Sequence, residues 1–116
     1  MKGRQFMTNK DASRLNHIVE YCDKISKTIK RFGDDFNIFE NDEDYFNSIA
    51  MSILQIGELS IGLSDEFKNK TKNKIHWGGI RRVRNMIAHE YVEIDKDIIW
   101  ESIKTDIPEL RNFCLE

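Results

Sequence analysis

The chain of 116 residues contains few residues that interrupt helices, since it has one proline and six glycines. Proline breaks a helix interior and glycine weakens it, so their scarcity favours long helices. Cysteine is equally scarce. Cys22 and Cys114 lie far apart, without a CxxC spacing, at apolar positions of helical patterns. We therefore expect two reduced core cysteines, and neither a disulfide nor a metal-binding pair.

Long apolar segments are also missing from the sequence. No apolar run reaches the roughly 18 residues from which a transmembrane helix is predicted. The N-terminal segment "MKGRQFMTNKDAS" lacks the apolar stretch of a signal peptide. We therefore expect no membrane association and a cytoplasmic location.

The remaining composition is that of one folded domain. Hydrophobic residues make up 40% of the chain and charged residues 33%, a balance that favours a globular protein over a disordered one. The polar N-terminal segment shows no periodicity. We predict a flexible tail over residues 1–10 and a single domain over residues 11–116.

The charge is distributed unevenly although the net charge is only −2. Between Phe67 and Arg84 there is no acidic residue, and the basic residues there are Lys68, Lys70, Lys72, Lys74, Arg81, Arg82 and Arg84. A local basic patch can attract phosphates even in an acidic protein, so Lys74, Arg81 and Arg82 are candidate RNA-binding residues. A solvated lysine-rich loop is the alternative.

Apolar residues recur at helical spacing in four segments, which run over residues 15–32, 46–63, 80–87 and 98–114. No segment shows strand-like alternation with hairpin turns. We therefore predict an all-α fold, an antiparallel up-and-down bundle of four main helices plus a short helical turn. The expected starts and stops of these helices are Asp11 or Ser13, Gly33, Asn41 or Asp42, Ser64, Trp77 or Gly78, and Asp95 or Asp97.

Three further positions qualify this helix pattern. Gly57 lies inside the predicted second helix, which indicates the close approach of another helix. Glu58 follows it, either at a rim or paired in the interior. Pro108 predicts either a kink in the last helix or a new helix with proline in its first turn.

The stretch "RNMIAHEY", residues 84–91, concentrates reactive polar groups within the predicted third helix. At 100° per residue, Arg81, Asn85 and His89 form an i, i+4, i+8 row on one face. Arg84 lies about 140° from His89 around the helix axis, although its long side chain can curl towards the same site. A row of solvated surface groups is the alternative interpretation.

These residue types suit the cleavage of a phosphodiester. Histidine exchanges protons near neutral pH, and arginine carries a permanent charge whose planar fork fits phosphate oxygens. No zinc or two-metal ligand set accompanies them, and no P-loop is present. Cleavage without a metal is easiest on RNA, because the 2′-hydroxyl is an internal nucleophile. The products are then a 2′,3′-cyclic phosphate and a 5′-hydroxyl.

At these residues the sequence resembles the HEPN superfamily, and more closely its HepT-like toxins. The superfamily signature of Arg, a polar residue, three free positions and His corresponds to Arg84, Asn85 and His89, and the HepT-like form adds Tyr91. The segments "LQIGELS", "IHWGGIRRVRN" and "DIIWESIKTDIPELR" are similar to other family segments. The resemblance extends from about residue 11 to the C-terminus.

The resemblance implies a metal-independent endoribonuclease without a cofactor, the toxin of a toxin–antitoxin pair. It implies a homodimer in which two Arg–His motifs face one cleft, so that one histidine serves as base and the other as acid. Arg84 would stabilise the transition state, His89 would transfer protons and Asn85 would orient the reacting groups. The implied partner is an MntA-like nucleotidyltransferase that transfers AMP to Tyr91, which adds charge and bulk that repel RNA.

Two alternatives remain open at this point. Glu90 replaces the small residue usual between His and Tyr in the family, and an acid beside His89 would weaken activity. The domain would then be a catalytically weak HEPN module that binds RNA, nucleotide or the nucleotidyltransferase. The other alternative is a structural dimer whose polar row only satisfies an interface.

Overall fold

The computed structural model describes residues 7–116, and these residues form helices and no strands, which confirms the all-α prediction. The helices are α1 (Asn9–Phe32), α2 (Phe36–Asn41), α3 (Glu43–Ile61), α4 (Asp65–Thr71), α5 (Trp77–Glu90), α6 (Lys96–Glu101) and α7 (Ile107–Leu115). A π-helical segment (Ser102–Asp106) joins α6 to α7 without a break, so these three elements act as one C-terminal helix.

Side-chain contacts show that the main helices run antiparallel. At the start of α1, Asp11 accepts hydrogen bonds from Ser64, just beyond the end of α3. At the other end, the hydroxyl of Tyr45 in the first turn of α3 donates to the carbonyl of Gly33, 2.9 Å away, just beyond the end of α1. Helix α5 runs antiparallel to α3, since Arg84 contacts Glu58 while the later Tyr91 contacts the earlier Asn47.

The first helix begins at Asn9, before either of the two predicted starts. Thr8 caps α1, and its hydroxyl accepts from the amide of Asp11 while the Asp11 carboxylate accepts from the amide of Thr8. The prediction that Asp11 or Ser13 is the cap was therefore wrong, because Asp11 is the third residue of a reciprocal capping box. Residues 9 and 10, placed in the tail by sequence, are helical; residues 1–6 of that predicted tail lie outside the described residues.

The segment between the first two predicted helices contains a further helix that the sequence did not indicate. Gly33 ends α1 as predicted, with a φ of 123° that favours glycine. The Asp35 side chain then caps α2, which packs Phe39 fully into the core. Asp42 caps α3, one of the two residues predicted for that role.

Aromatic clusters close the two ends of the core. Phe39, Tyr45 and Trp100 pack at one end, with ring centroids 5.1–6.4 Å apart. Phe67, Trp77 and Phe113 pack at the other, with centroids 5.8–6.3 Å apart. Between them lie the predicted aliphatic stripes and both cysteines, which are buried and unbridged. Burial raises the pKa of each cysteine thiol to about 12, so both are unreactive.

The predicted inward face is less complete on α5 and α6. Of the α5 residues, only Ile87 is buried, whereas Ile80, Val83 and Met86 are partly buried. Ile98 of α6, also predicted to face inward, is 37% exposed. Pro108 lies in the first turn of α7, one of the two predicted placements, and α7 continues directly from the π-helical segment.

Among the described residues, no single helix is long and apolar enough to span a membrane; α3 and α4 meet those criteria only together, across a bend of 102°.

Candidate functional site

The fifth helix is anchored at its N-terminus by Trp77. The indole Nε1 of Trp77 donates to the hydroxyl of Thr71 at 3.0 Å, and its ring packs edge-on against Phe113 with centroids 5.8 Å apart. Helix α5 begins at Trp77, one of the two residues predicted from sequence. Because one face of α5 packs on α3, the polar residues of the other face point away from the bundle.

Arg81, Asn85 and His89 share one shallow depression of about 400 Å³ on that outer face. The row predicted from helical spacing is therefore present. The other residues that line the depression are Gly78, Arg82, Met86 and Glu90. His89 is exposed and Asn85 is partly buried, so the depression is open to a large ligand such as a nucleic acid strand.

Arg84 does not line this depression. Its side chain turns towards α3, where Nη2 donates to Oε1 of Glu58 and Nη1 donates to Oδ1 of Asn85 at 2.9 Å. Glu58 is thus paired at a rim, with 52% of its side chain exposed. Arg84 reaches the depression only through its contact with Asn85.

Gly57 explains how Arg84 fits against α3. A Cβ atom at position 57 would lie 2.4 Å from Cγ and 2.5 Å from Cβ of Arg84. Non-bonded carbon atoms do not approach so closely, so only glycine permits α5 to pass there in this position. The close helix approach predicted from Gly57 is confirmed.

Tyr91 also lies outside the depression. Its hydroxyl donates to Oδ1 of Asn47 in α3, and its ring packs edge-on against Phe46 with centroids 5.4 Å apart. Burial and the negative charge of Glu43 raise the pKa of Tyr91. The tyrosine is still 41% exposed. Nothing in the sequence around Asn47 indicated this contact.

The basic residues predicted to bind RNA separate into two groups. Arg81 and Arg82 line the depression, whereas Lys74 is exposed in the loop between α4 and α5 and does not line it. The described residues hold no group of three or more His, Cys, Asp or Glu side chains arranged to bind a metal ion.

A larger groove of about 560 Å³ adjoins the depression and shares Gly78, Arg82 and Met86 with it. Its floor is mainly apolar. Its α5 side carries His76 and Arg82, and its C-terminal side carries Asp106 and Glu109. The apolar residues that line it are Ile53, Ile56, Ile75, Ile80, Val83, Met86, Ile98, Ile107 and Leu110.

Fold and site together define a small helical bundle with an exposed basic depression that contains a histidine, a combination suited to phosphodiester chemistry. Residues 18–116 match the family described as Ribonuclease HepT-like. The chain therefore belongs to the HepT-like ribonuclease family, as the resemblance of its motif indicated.

Individual relatives agree with this membership. A protein named "Putative RNase" from Caldanaerobacter subterraneus subsp. tengcongensis is 34% identical over 96 residues, which are 83% of this chain and 83% of that protein. Another "Putative RNase", from Methanocaldococcus jannaschii, is 29% identical over 96 residues, 83% of this chain and 79% of that protein. The "Probable ribonuclease HepT" of Thermococcus cleftensis is 34% identical over 56 residues, which cover 48% of this chain and 50% of that protein. No solved structure matches the chain significantly.

Proposed function

We propose that this protein is a metal-independent endoribonuclease and the toxin of a toxin–antitoxin pair. The observation that carries the proposal is the open depression in which His89 and Asn85 lie with Arg81 and Arg82. Membership of the HepT-like ribonuclease family supports it. The substrate is RNA, because its 2′-hydroxyl supplies the nucleophile that the depression itself lacks.

The reaction needs one proton removed and one proton supplied. A neutral His89 accepts the 2′-hydroxyl proton as the 2′-oxygen bonds to phosphorus, and the bond from phosphorus to the 5′-oxygen breaks. A protonated histidine then gives its proton to the leaving 5′-oxygen. The charge that builds on the phosphate is stabilised by the arginines of the depression. The role predicted for Arg84, direct stabilisation of that charge, stays a prediction, since its guanidinium contacts Glu58.

A second copy of the chain would supply the second histidine. The groove beside the depression has a basic side and an acidic side across an apolar floor. A two-fold axis through the groove would place His76 and Arg82 of one copy opposite Asp106 and Glu109 of the other, which would make the surface complementary to itself. Because the groove is continuous with the depression, a homodimer formed there would bring two His89 side chains towards one cleft.

Tyr91 is the proposed point of control. A nucleotidyltransferase antitoxin of the MntA-like type would transfer AMP to its hydroxyl, and the added phosphate would repel RNA from the neighbouring depression. The 41% exposure of Tyr91 supports access by such a partner. Protein isolated together with that partner should gain mass in steps of one AMP, and the Tyr91→Phe variant should not.

The test of the nuclease activity uses purified protein in the presence of a chelator, with mixed tRNA and mRNA as substrates. Wild type should release fragments that end in 2′,3′-cyclic phosphates. His89→Ala should lower the rate by about 10²–10⁴-fold, the usual contribution of one general acid or base, without unfolding the bundle. His17→Ala is the matched control, because His17 is an exposed histidine of α1. Equal cleavage by wild type and His89→Ala would contradict the assignment.

A second candidate function is a catalytically weak module that binds RNA, nucleotide or the nucleotidyltransferase. The observation that favours it is Glu90, which lines the depression beside His89 and brings a negative charge close to the expected position of the RNA phosphate. RNA binding by wild type without turnover, in unmodified protein, would establish this function instead. Recovery of cleavage in Glu90→Gly would show that the glutamate is its cause.

A further inference from the structure

A row of polar contacts connects α3 to the depression through Arg84. One end of the guanidinium donates to Glu58, whose side chain is half exposed, and the other end donates to Asn85 at 2.9 Å. Asn85 in turn lines the depression. A residue on α3 is therefore coupled to a wall of the candidate site without facing that site itself.

The contact with Arg84 fixes the orientation of the Asn85 amide. Every polar hydrogen of a guanidinium is a donor, so the Asn85 atom that faces it must be the acceptor, Oδ1. The two hydrogens of Nδ2 are then left for a ligand, and within residues 7–116 no side chain or carbonyl accepts from them. A phosphate oxygen is an acceptor only, so an amide held this way offers RNA the matching group.

Glu58 holds one end of the Arg84 guanidinium in place. Its carboxylate forms a charge-assisted hydrogen bond with Nη2 of Arg84, which is stronger than a neutral one. Nε of Arg84 is buried and finds no partner among the described residues, so the Nη contacts alone hold the guanidinium. Without Glu58, the long side chain of Arg84 would be free to turn towards water and release the Asn85 oxygen.

Gly57 supplies the space for this arrangement. A methyl group there would meet Cβ and Cγ of Arg84 at 2.5 and 2.4 Å. These atoms lie at the root of the side chain, where a rotamer change cannot remove the overlap of Cβ. Any larger residue would therefore displace α5, and with it Arg84 and the amide of Asn85. Glycine destabilises a helix interior relative to alanine, and the close approach explains why it stands at this position.

We propose that Gly57 and Glu58 are positioning residues of the ribonuclease site, which hold Arg84 so that Arg84 presents the Asn85 amide hydrogens to an RNA phosphate. This inference rests on the proposed ribonuclease function. It assigns Arg84 an indirect role through Asn85, and it leaves Arg81 and Arg82 as the charges that attract the RNA.

A double-mutant cycle distinguishes the indirect role from direct contact. Arg84→Ala and Asn85→Ala should each lower kcat/KM for RNA by about tenfold, the effect of losing one hydrogen bond to a charged group. The double variant should be no worse than Asn85→Ala, because Arg84 acts only through Asn85. Additive losses, about a hundredfold in the double variant, would show that Arg84 contacts RNA and would overturn the proposal.

The role of Glu58 is tested by two substitutions of different severity. Glu58→Gln keeps an oxygen that accepts from Arg84, so kcat/KM should fall by no more than about threefold. Glu58→Ala removes the acceptor, so the loss should approach that of Arg84→Ala. Wild-type kcat/KM in Glu58→Ala would overturn the role of this residue.

The role of Gly57 has a matched control in Gly62, the residue directly after the same helix. Gly57→Ala should lower kcat/KM by about tenfold, as Arg84→Ala does, in a protein that remains helical because alanine favours helices. In Gly62→Ala the new Cβ would meet Nε of Arg14 at 2.7 Å, the far end of a flexible side chain that can turn away. Gly62→Ala should therefore keep wild-type activity. Equal activity of both variants would overturn the role of Gly57.

An NMR titration tests the positioning role without any need for cleavage. A 2′-O-methyl RNA oligonucleotide, which lacks the internal nucleophile, is titrated into ¹⁵N-labelled protein. The side-chain NH₂ signals of Asn85 should shift in wild type and stay unchanged in Glu58→Ala. If wild type shows the shift but cleaves no RNA, the proposed nuclease activity fails while the positioning role stands. RNA binding that leaves the Asn85 signals unmoved, or no binding at all, would overturn the positioning role.

Discussion

Helices α3 and α5 pack against each other, yet they differ sharply in how much of each is buried. Helix α3 buries nine residues along its length, whereas α5 buries only Ile87. The reason is position: α3 packs against both α1 and α5, whereas α5 packs mainly against α3 and leaves more of its surface open. Helix α3 is therefore mainly structural, whereas α5 carries the candidate site residues. Substitutions in the buried face of α3 should change stability, and substitutions on the open face of α5 should change activity.

The largest expected effect on stability is in α3. Ile56 is fully buried, so Ile56→Ala should lower the free energy of unfolding by about 3 kcal/mol and the Tm by about 10–15 °C. Val83 of α5 is only partly buried, so Val83→Ala should cost about 1 kcal/mol. Thermal unfolding at concentrations low enough to keep the chain monomeric measures both. Equal losses would break the distinction between the two helices.

A smaller effect is expected at the contact that ties the end of α3 to α1. Asp11 is fully buried; burial alone would raise its pKa, but hydrogen bonds from Ser64 and Thr8 outweigh burial and lower the pKa below its ordinary value of 3.8. Asp11→Ala removes these bonds and should cost about 2 kcal/mol. Urea unfolding at neutral pH measures the loss.

The same carboxylate gives the stability a pH dependence of known sign. Because the folded pKa of Asp11 is lowered, its contribution is complete above pH 3.8 and is lost as the pH falls through the folded pKa. Asp11→Asn should therefore unfold with a flatter pH dependence below pH 4 than wild type. Glu101→Gln, at an exposed acid of α6, is the control. An unchanged acid profile in Asp11→Asn would contradict the assigned pKa.

A substitution in the groove beside the open side of α5 should change dimer formation and not the folding of the monomer. Ile98 lines the apolar groove beside α5 and is 37% exposed, so Ile98→Glu places a charge where the second copy would pack. The dimer Kd should rise about tenfold or more, with little change in the stability of the monomer. Analytical ultracentrifugation over a range of concentrations measures the Kd. Wild-type association in Ile98→Glu would place the interface elsewhere.

The sequence predicted what depends on neighbours along the chain and missed what depends on contacts between helices. Four stripes of apolar residues located the main helices, and the spacing of Arg81, Asn85 and His89 located the depression. The pairing of Arg84 with Glu58 joins residues 26 positions apart, so helical periodicity could not reveal it. Helix α2 was missed because its six residues are too few to show a period, although Asp35 in front of it is a usual cap.

The smallest predicted effect concerns the point where the end of α5 returns to the start of α3. Tyr91→Phe removes the hydroxyl that donates to Asn47 but keeps the ring on Phe46, so it should cost only about 0.5–1 kcal/mol. RNA cleavage should stay within about twofold of wild type. Tyr91 does not line the depression, so its hydroxyl takes no part in proton transfer there. Thermal unfolding and initial cleavage rates measure the two effects. A large loss of cleavage in Tyr91→Phe would mean that the site extends from α5 onto the first turn of α3. Helix α3 would then contribute to the chemistry at that end of the bundle as well as to stability.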